Sequence, residues 1–231
     1  MSVKNAVIVG ASGGIGAAIA NALEAEWGEA NVVRLSRQAG TIDLKQEASI
    51  KGAADELRAR GFIPQMVIVA AGLLHNETRG PEKSIRDLDA DWMIENYQIN
   101  AVGPALVAKH FLPIMPRGER CIFAALSARV GSISDNRVGG WHGYRASKAA
   151  LNMLIRNLSI EWQRRNPQAV ITGIHPGTVN TALSAPFGGG ADAPGRFTPA
   201  ASAAQMLSVL DGLSPDQSGQ LFAYDGKPIP A

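Results

Sequence analysis

Tyr144-Arg-Ala-Ser-Lys148 sets a phenol and an ammonium one helical turn apart, within a stretch that reads as a long amphipathic helix. Positions i and i+4 of a helix share a face, so the charge on Lys148 would favour the phenolate of Tyr144 and bring its pKa down towards neutrality. The pair would then exchange a proton at physiological pH. A lone Tyr-x-x-x-Lys more often marks an exposed lysine beside a half-buried tyrosine, and the rest of the chain decides against that reading.

A second group of residues lies near the start. The apolar run Ala6-Val-Ile-Val9 breaks into Gly10-Ala-Ser12-Gly13-Gly14-Ile15-Gly16 and continues as Ala17-Ala-Ile-Ala-Asn-Ala-Leu23, the pattern of strand, glycine turn and helix. Glycines let a backbone turn tightly and approach a pyrophosphate, and a new helix offers it free N–H groups and the positive end of a dipole. The spacing Gly-x-x-x-Gly-x-Gly differs from the commoner Gly-x-Gly-x-x-Gly, and it lacks the Lys-Ser/Thr ending of a P-loop. A structural turn looks much the same, so the flanking strand and helix carry the phosphate reading.

These side chains need a scaffold, and the chain supplies alternating strand and helix patterns, the signature of a parallel sheet wound by crossover helices. Strands are expected near 4–9, 31–36, 41–43, 66–70, 120–126, 170–174 and 220–224, and helices near 14–26, 47–60, 90–111, 144–165 and 199–212. Thr198 and Pro199 suit the N-cap and first position of the last helix. The predicted architecture is a single α/β domain with a doubly wound parallel sheet over residues 1–231, and no internal repeat.

Composition narrows the function classes. The formal net charge is +2 and basic residues are scattered, so neither a nucleic-acid footprint nor an adhesive membrane surface is expected. The opening apolar run is too short for a signal peptide, and no run approaches the roughly 20 apolar residues of a membrane helix. The single cysteine, Cys121, lies in an apolar run and reads as a small buried hydrophobe, and a reducing cytoplasm is expected. His75, His110, His142 and His175 show no spacing for a metal, and no metal site is expected.

The glycine turn and the Tyr-x-x-x-Lys pair, in this order and separation, resemble the short-chain dehydrogenase/reductase family, and further matches span nearly the whole chain. Asp43-Leu44 looks like the family's adenine-contacting pair. Val69-Ala70-Ala71-Gly72 is similar to its Asn-Asn-Ala-Gly element, with the asparagines replaced. Asn100 matches a helix asparagine that in the family holds a water near the catalytic lysine. His175-Pro176-Gly177-Thr-Val179-Asn-Thr181 resembles the segment that holds the nicotinamide carboxamide. The run Gly131-Ser-Ile-Ser-Asp-Asn before Gly143 is similar to the C-factor-like carbonyl-reductase branch.

The resemblance implies a Rossmann-type fold and an oxidoreductase in which nicotinamide exchanges hydride with a carbonyl or alcohol. Tyr144 would be the acid and base, Lys148 would orient the ribose, and Asn100 would support a water-linked proton route. At the end of the second strand Ser36-Arg37 stands where NAD-dependent relatives carry a carboxylate, so NADP(H) is preferred over NAD(H), with both residues on the 2′-phosphate. The family's catalytic serine slot, counted back from Gly131, holds Ala128. Ser127 and Ser132 are the two substitutes, and Ser127 is favoured because it ends a strand at the ligand-binding edge.

Residues 182–199, rich in glycine and proline, read as a lid over the substrate, with Phe187, Trp141 and His142 lining the pocket. Relatives of this kind imply a homodimer or homotetramer, for which Ala146, Ala150 and Met153 offer packing surface. A competing reading, prompted by Ala128, is an NADP(H)-binding regulatory or interaction protein with weak or no turnover.

Overall fold

Four-residue strands that are apolar at every position must be covered on both faces, and the architecture follows from them. The computed structural model describes residues 4–187 and 195–231. Strands β1 (Ala6–Val9) and β3 (Met66–Val69) are buried throughout. With β2 (Val32–Leu35), β4 (Cys121–Leu126), β5 (Ala169–His175) and β6 (Leu221–Ala223) they form a parallel array in which neighbours pair in the order β2-β1-β3-β4-β5-β6. A seventh strand, β7 (Pro228–Ile229), joins β6 antiparallel at the edge. The sequence pattern misses it, since it is two residues long and includes a proline, which only an edge tolerates.

Alternate residues of each strand feed opposite helix layers. Val7 and Val9 pack with Ile50, Ala54 and Leu57 of α2 (Glu47–Ala59), Val107 and Phe111 of α4 (Gly103–Phe111), and Leu151 and Ile155 of α5 (His142–Gln163). Ala6 and Ile8 pack on Ile19 and Leu23 of α1 (Gly14–Trp27) and on Ala203, Met206 and Leu210 of α6 (Pro199–Gly212). Thr198 caps α6 by accepting the Ala201 N–H at 3.1 Å. The sheet is doubly wound as expected. The chain runs from β1 outward to β2 and then crosses to β3 on the other side of β1, which opens a crevice at the carboxyl ends of the strands.

Two elements depart from the expected pattern. Residues 41–43 form no strand, because the Thr41 and Ile42 N–H groups bond back to the Ser36 carbonyl and the Asp43 N–H bonds to Ser49 Oγ. With these donors satisfied locally, the sheet ends at β2. The expected helix 90–111 is also interrupted. It consists of α3 (Ala90–Tyr97), a wide π turn over Gln98–Val102, and α4. Pro104 has no N–H to give the Asn100 carbonyl, and the Gly103 N–H bonds to the Gln98 carbonyl five residues back.

The helix expected at 144–165 starts two residues earlier, at His142. Of the proposed lid at 182–199, residues 188–194 lie outside the described residues. Among those described, Val179 pairs with Phe197 across its base. No helix among them is long and apolar enough to cross a membrane.

Candidate active site

The crevice is a cavity of about 670 Å³ at the carboxyl ends of the strands, and parts of the chain far apart in sequence meet in it. Gly10, Ser12, Gly13, Gly14 and Ile15 come from the β1–α1 turn, Ser36 and Arg37 from the end of β2, and Asp43 and Leu44 from the loop beyond. Ala70, Ala71 and Gly72 follow β3, Ser127 follows β4, Tyr144 and Lys148 lie on α5, and Pro176 and Thr181 follow β5. Leu73, Ile99, Leu126 and Leu183 line it too, and as ordinary apolar residues they carried no signal in the sequence.

The glycine turn is shaped by contact. Gly10 has φ +89°, and a Cβ there would lie 2.9 Å from the Ala70 carbonyl carbon, so the ends of β1 and β3 approach to backbone contact. Gly16 lines no part of the cavity, and a Cβ on it would stand 2.3 Å from the Gly10 carbonyl oxygen, so it lets α1 start directly beneath the turn. That helix has no capping side chain and no acidic residue in its first turn, which leaves its N–H groups and positive dipole end for an anion.

Ser36 is buried, and its Oγ accepts the Ala39 N–H at 3.1 Å. Arg37 is exposed on the rim. The Asp43 carboxylate accepts the Lys45 N–H at 2.9 Å, which holds the loop that brings Leu44 inward.

Tyr144 and Lys148 share a helix face, and both are buried. The Lys148 ammonium donates to the Leu126 carbonyl at 2.8 Å and stands over the Tyr144 ring, 5.8 Å from its centroid. Burial pushes the lysine down to about 8 and the phenol up to about 12. The expected lowering of the Tyr144 pKa by Lys148 is therefore not found in this structure, because loss of water around the phenol dominates.

Asn100 sits in the π turn, outside the cavity lining and fully buried. Its amide clamps the backbone of one residue, accepting the Leu73 N–H and donating to the Leu73 carbonyl, each at 2.8 Å, and it also donates to Ser147 Oγ at 3.1 Å. In this structure it braces the segment after β3 against α5.

Ser127 shows why one residue of register matters. Its N–H still pairs with the Ile174 carbonyl, so the β4 ladder runs through it and neighbouring side chains face opposite ways. Ala128 packs with Tyr144 and Leu74, whereas the Ser127 hydroxyl donates to Asn152 Oδ1 at 2.6 Å. The hydroxyl expected to reach the substrate oxygen is thus spent on Asn152. Ser132 is buried at a different place, where its Oγ accepts the Asp135 N–H at 3.2 Å and contacts the Ala231 carbonyl at 3.5 Å.

Gly177 and Val179 stand behind Pro176 and Thr181. Gly177 has φ +77° and packs against the Phe197 and Tyr224 rings, and Val179 is buried on the bridge to Phe197. Beside Tyr144 stands an aromatic wall, just outside the residues that line the cavity. Trp141 lies edge-on to Tyr144 at 6.3 Å and to Phe187 at 5.2 Å, and His75 meets Phe187 at 5.7 Å. His142 opens α5, and none of Phe187, Trp141 and His142, all three expected to line the pocket, is among the residues that line the cavity.

The remaining imidazoles are engaged elsewhere or shut away. His110 contacts Glu47, and burial, with help from Arg129, pushes His175 down to about 4. Among the described residues no three of His, Cys, Asp and Glu group as a metal site.

Comparison with known proteins agrees with the fold. The family model described as short chain dehydrogenase matches residues 4–189. The C-signal of Myxococcus xanthus is 38% identical over 149 residues, covering 64% of this chain and 83% of that protein. The 1-hydroxy-2-glutathionyl-2-methyl-3-butene dehydrogenase of a Rhodococcus species is 29% identical over 188 residues, 80% of this chain and 76% of that one. The NADPH-bound carbonyl reductase from chicken fatty liver superposes with a TM-score of 0.82 at 25% identity, covering 99% of this chain and 94% of that chain.

Proposed function

This chain belongs to the short-chain dehydrogenase family, and from that premise we propose that it is an NADP(H)-dependent oxidoreductase acting on a small carbonyl or alcohol substrate. The observation that carries the reading is that the Tyr144–Lys148 pair and the open glycine turn face one cavity. The residues fit a dinucleotide. The uncapped start of α1, at Gly13, Gly14 and Ile15, would hold the pyrophosphate, with Ser12 beside it. Ser36 and Arg37 would take the 2′-phosphate and Asp43 and Leu44 the adenine. Ala70, Ala71 and Gly72 would line the ribose path, and Pro176, Gly177, Val179 and Thr181 would frame the nicotinamide.

The bound cofactor supplies the hydride. Tyr144 delivers a proton to the carbonyl oxygen, and in the reverse direction takes it from the alcohol. Lys148, fixed by the Leu126 carbonyl, holds its ammonium beside the phenol, and its charge stabilises the phenolate left after proton transfer. Asn100 keeps Gly72 and Leu73 in place behind the cofactor. With Ser127 bonded to Asn152, Tyr144 is the main oxygen-directed side chain, and Ser127 contributes only if it gives up that acceptor. The aromatic wall of Trp141 and Phe187 excludes water from the reacting carbon.

The proposed assembly is a homodimer or homotetramer in the cytoplasm, for which the exposed apolar residues Val102 of the π turn and Met153 and Ile160 of α5 offer packing surface. The second reading, an NADP(H)-binding regulatory or interaction protein, is favoured by one observation, the methyl group of Ala128 beside Tyr144.

The test is NADPH oxidation with quinones, aldehydes and diketones, set beside NADPH binding by fluorescence. Tyr144→Phe keeps the ring packing and removes the proton, so turnover is expected to fall by a factor on the order of 10² or more with binding unchanged. Unchanged turnover in that variant removes Tyr144 from its role. Binding without turnover across the panel selects the regulatory reading.

A further inference from the structure

The helix that carries Tyr144 starts without a cap of its own. Its N-cap residue, Trp141, is in the left-handed region at φ 52°, and makes no side-chain cap hydrogen bond. This is unusual, since N-cap residues normally have extended backbone and offer a short side-chain acceptor to the second or third helical N–H. Turning Trp141 this way is compatible with its indole lying against Tyr144 and Phe187, but it leaves the first turn of α5 to find an acceptor elsewhere.

Glu82, from the loop between β3 and α3, supplies it. The side chain is buried, and its two carboxylate oxygens lie 3.3 and 3.1 Å from the Gly143 nitrogen, which donates to them. Its main-chain carbonyl accepts the Trp141 N–H at 2.5 Å. One residue, 61 positions away in sequence from Gly143, thus holds both the N-cap and the second residue of the helix. No lysine, arginine or histidine lies within 4 Å of the carboxylate among the described residues, and the group it faces is the positive end of α5.

Gly143 is shaped to this contact. A Cβ there would stand 2.8 Å from Glu82 Oε1, while its next neighbours lie at 3.6 Å. The following residue is Tyr144.

We propose that Glu82 is a positioning residue for Tyr144, acting as a remote N-cap that fixes the first turn of α5 and hence the place of the phenol in the cavity. The role in turnover rests on the proposed oxidoreductase function. The hold on the helix does not.

Two readouts separate them. Glu82→Ala is expected to lower kcat by a factor of about 10 to 10², the scale of a displaced catalytic group, while the KM for NADPH stays within about twofold. Amide hydrogen exchange in the first two turns of α5, residues 142–148, should speed up in parallel. Glu82→Gln keeps a carbonyl oxygen for the Gly143 N–H and should recover most of both kcat and exchange protection, a rescue that a generally loosened fold would not show. If Glu82→Ala does not fold, Gly143→Ala displaces the same carboxylate and is expected to give the same split.

Wild-type kcat and exchange in Glu82→Ala, or in Gly143→Ala where the first does not fold, would overturn the proposal. So would a Gln variant as impaired as Ala. Absence of wild-type turnover with every carbonyl would count against the proposed function, while the exchange comparison would still decide whether Glu82 holds α5.

Discussion

At the scale of single residues, Lys148 is a cation placed where water is not. Burial pushes it down from 10.5 to about 8, and the Leu126 carbonyl is its hydrogen-bond acceptor. Below about pH 8 the amine is protonated in the folded and unfolded chain alike, and the fold bears the cost of a buried charge. Between about 8 and 10.5 the folded chain has released a proton that the unfolded chain still holds, so this group makes stability rise with pH. Tyr144 acts in the opposite direction and at higher pH, because its phenol, pushed up from 10.0 to about 12, stays neutral in the fold while the unfolded chain ionises.

The window from about pH 8 to 10 therefore belongs to Lys148 when wild type is compared with Lys148→Met, since all other titrations are common to both. The variant's advantage in urea midpoint should be largest near pH 7.5 and shrink by pH 9.5. Midpoints that move in parallel would show that the amine does not titrate there.

At the scale of elements, the π turn between α3 and α4 is a brace between the end of β3 and α5. Asn100 reaches both because Pro104 and Gly103 widen the helix at that point. Asn100→Ala removes both hydrogen bonds to Leu73, and at about 1 kcal/mol each the loss in unfolding free energy should be about 2 kcal/mol. Because Gly72 and Leu73 line the cavity, NADPH affinity should fall as well. Urea unfolding and a fluorescence titration measure the two. A stability loss with unchanged NADPH affinity would confine Asn100 to folding.

At the scale of the whole molecule, the cavity draws on β1, β2, β3, β4, β5 and α5, so a ligand bound there ties together segments far apart in sequence. At a free concentration of about 100 times Kd, NADPH should add about 2.7 kcal/mol to stability. For a chain of this length that corresponds to a rise in Tm on the order of 5–10 °C. NADH at the same concentration should raise Tm less, and Arg37→Ala should bring the NADPH shift down to the NADH one. Equal shifts for the two cofactors in the wild type would remove the preference assigned to Ser36 and Arg37.

What the sequence determined by itself is whatever depends on local spacing. The i, i+4 geometry joins Tyr144 to Lys148, the glycine turn between an apolar run and a helix forms the floor at Gly10–Ile15, and the fully apolar strands at 6–9 and 66–69 dictate a sheet covered on both sides. Tertiary structure decided what depends on which group wins a shared partner. Residues 41–43 read as a strand until the Ser36 carbonyl and the Ser49 hydroxyl take their donors. Ser127 reads as a substrate ligand and does line the cavity, but only the fold shows that the β4–β5 ladder extends through it and that its hydroxyl donates to Asn152. The pKa of Tyr144 reads as lowered until burial is known, because spacing sets the distance to a charge but only packing removes the water. Glu82 gave no signal, since a glutamate in a charged loop looks solvated in sequence, and only the fold carries it to the N-terminus of α5.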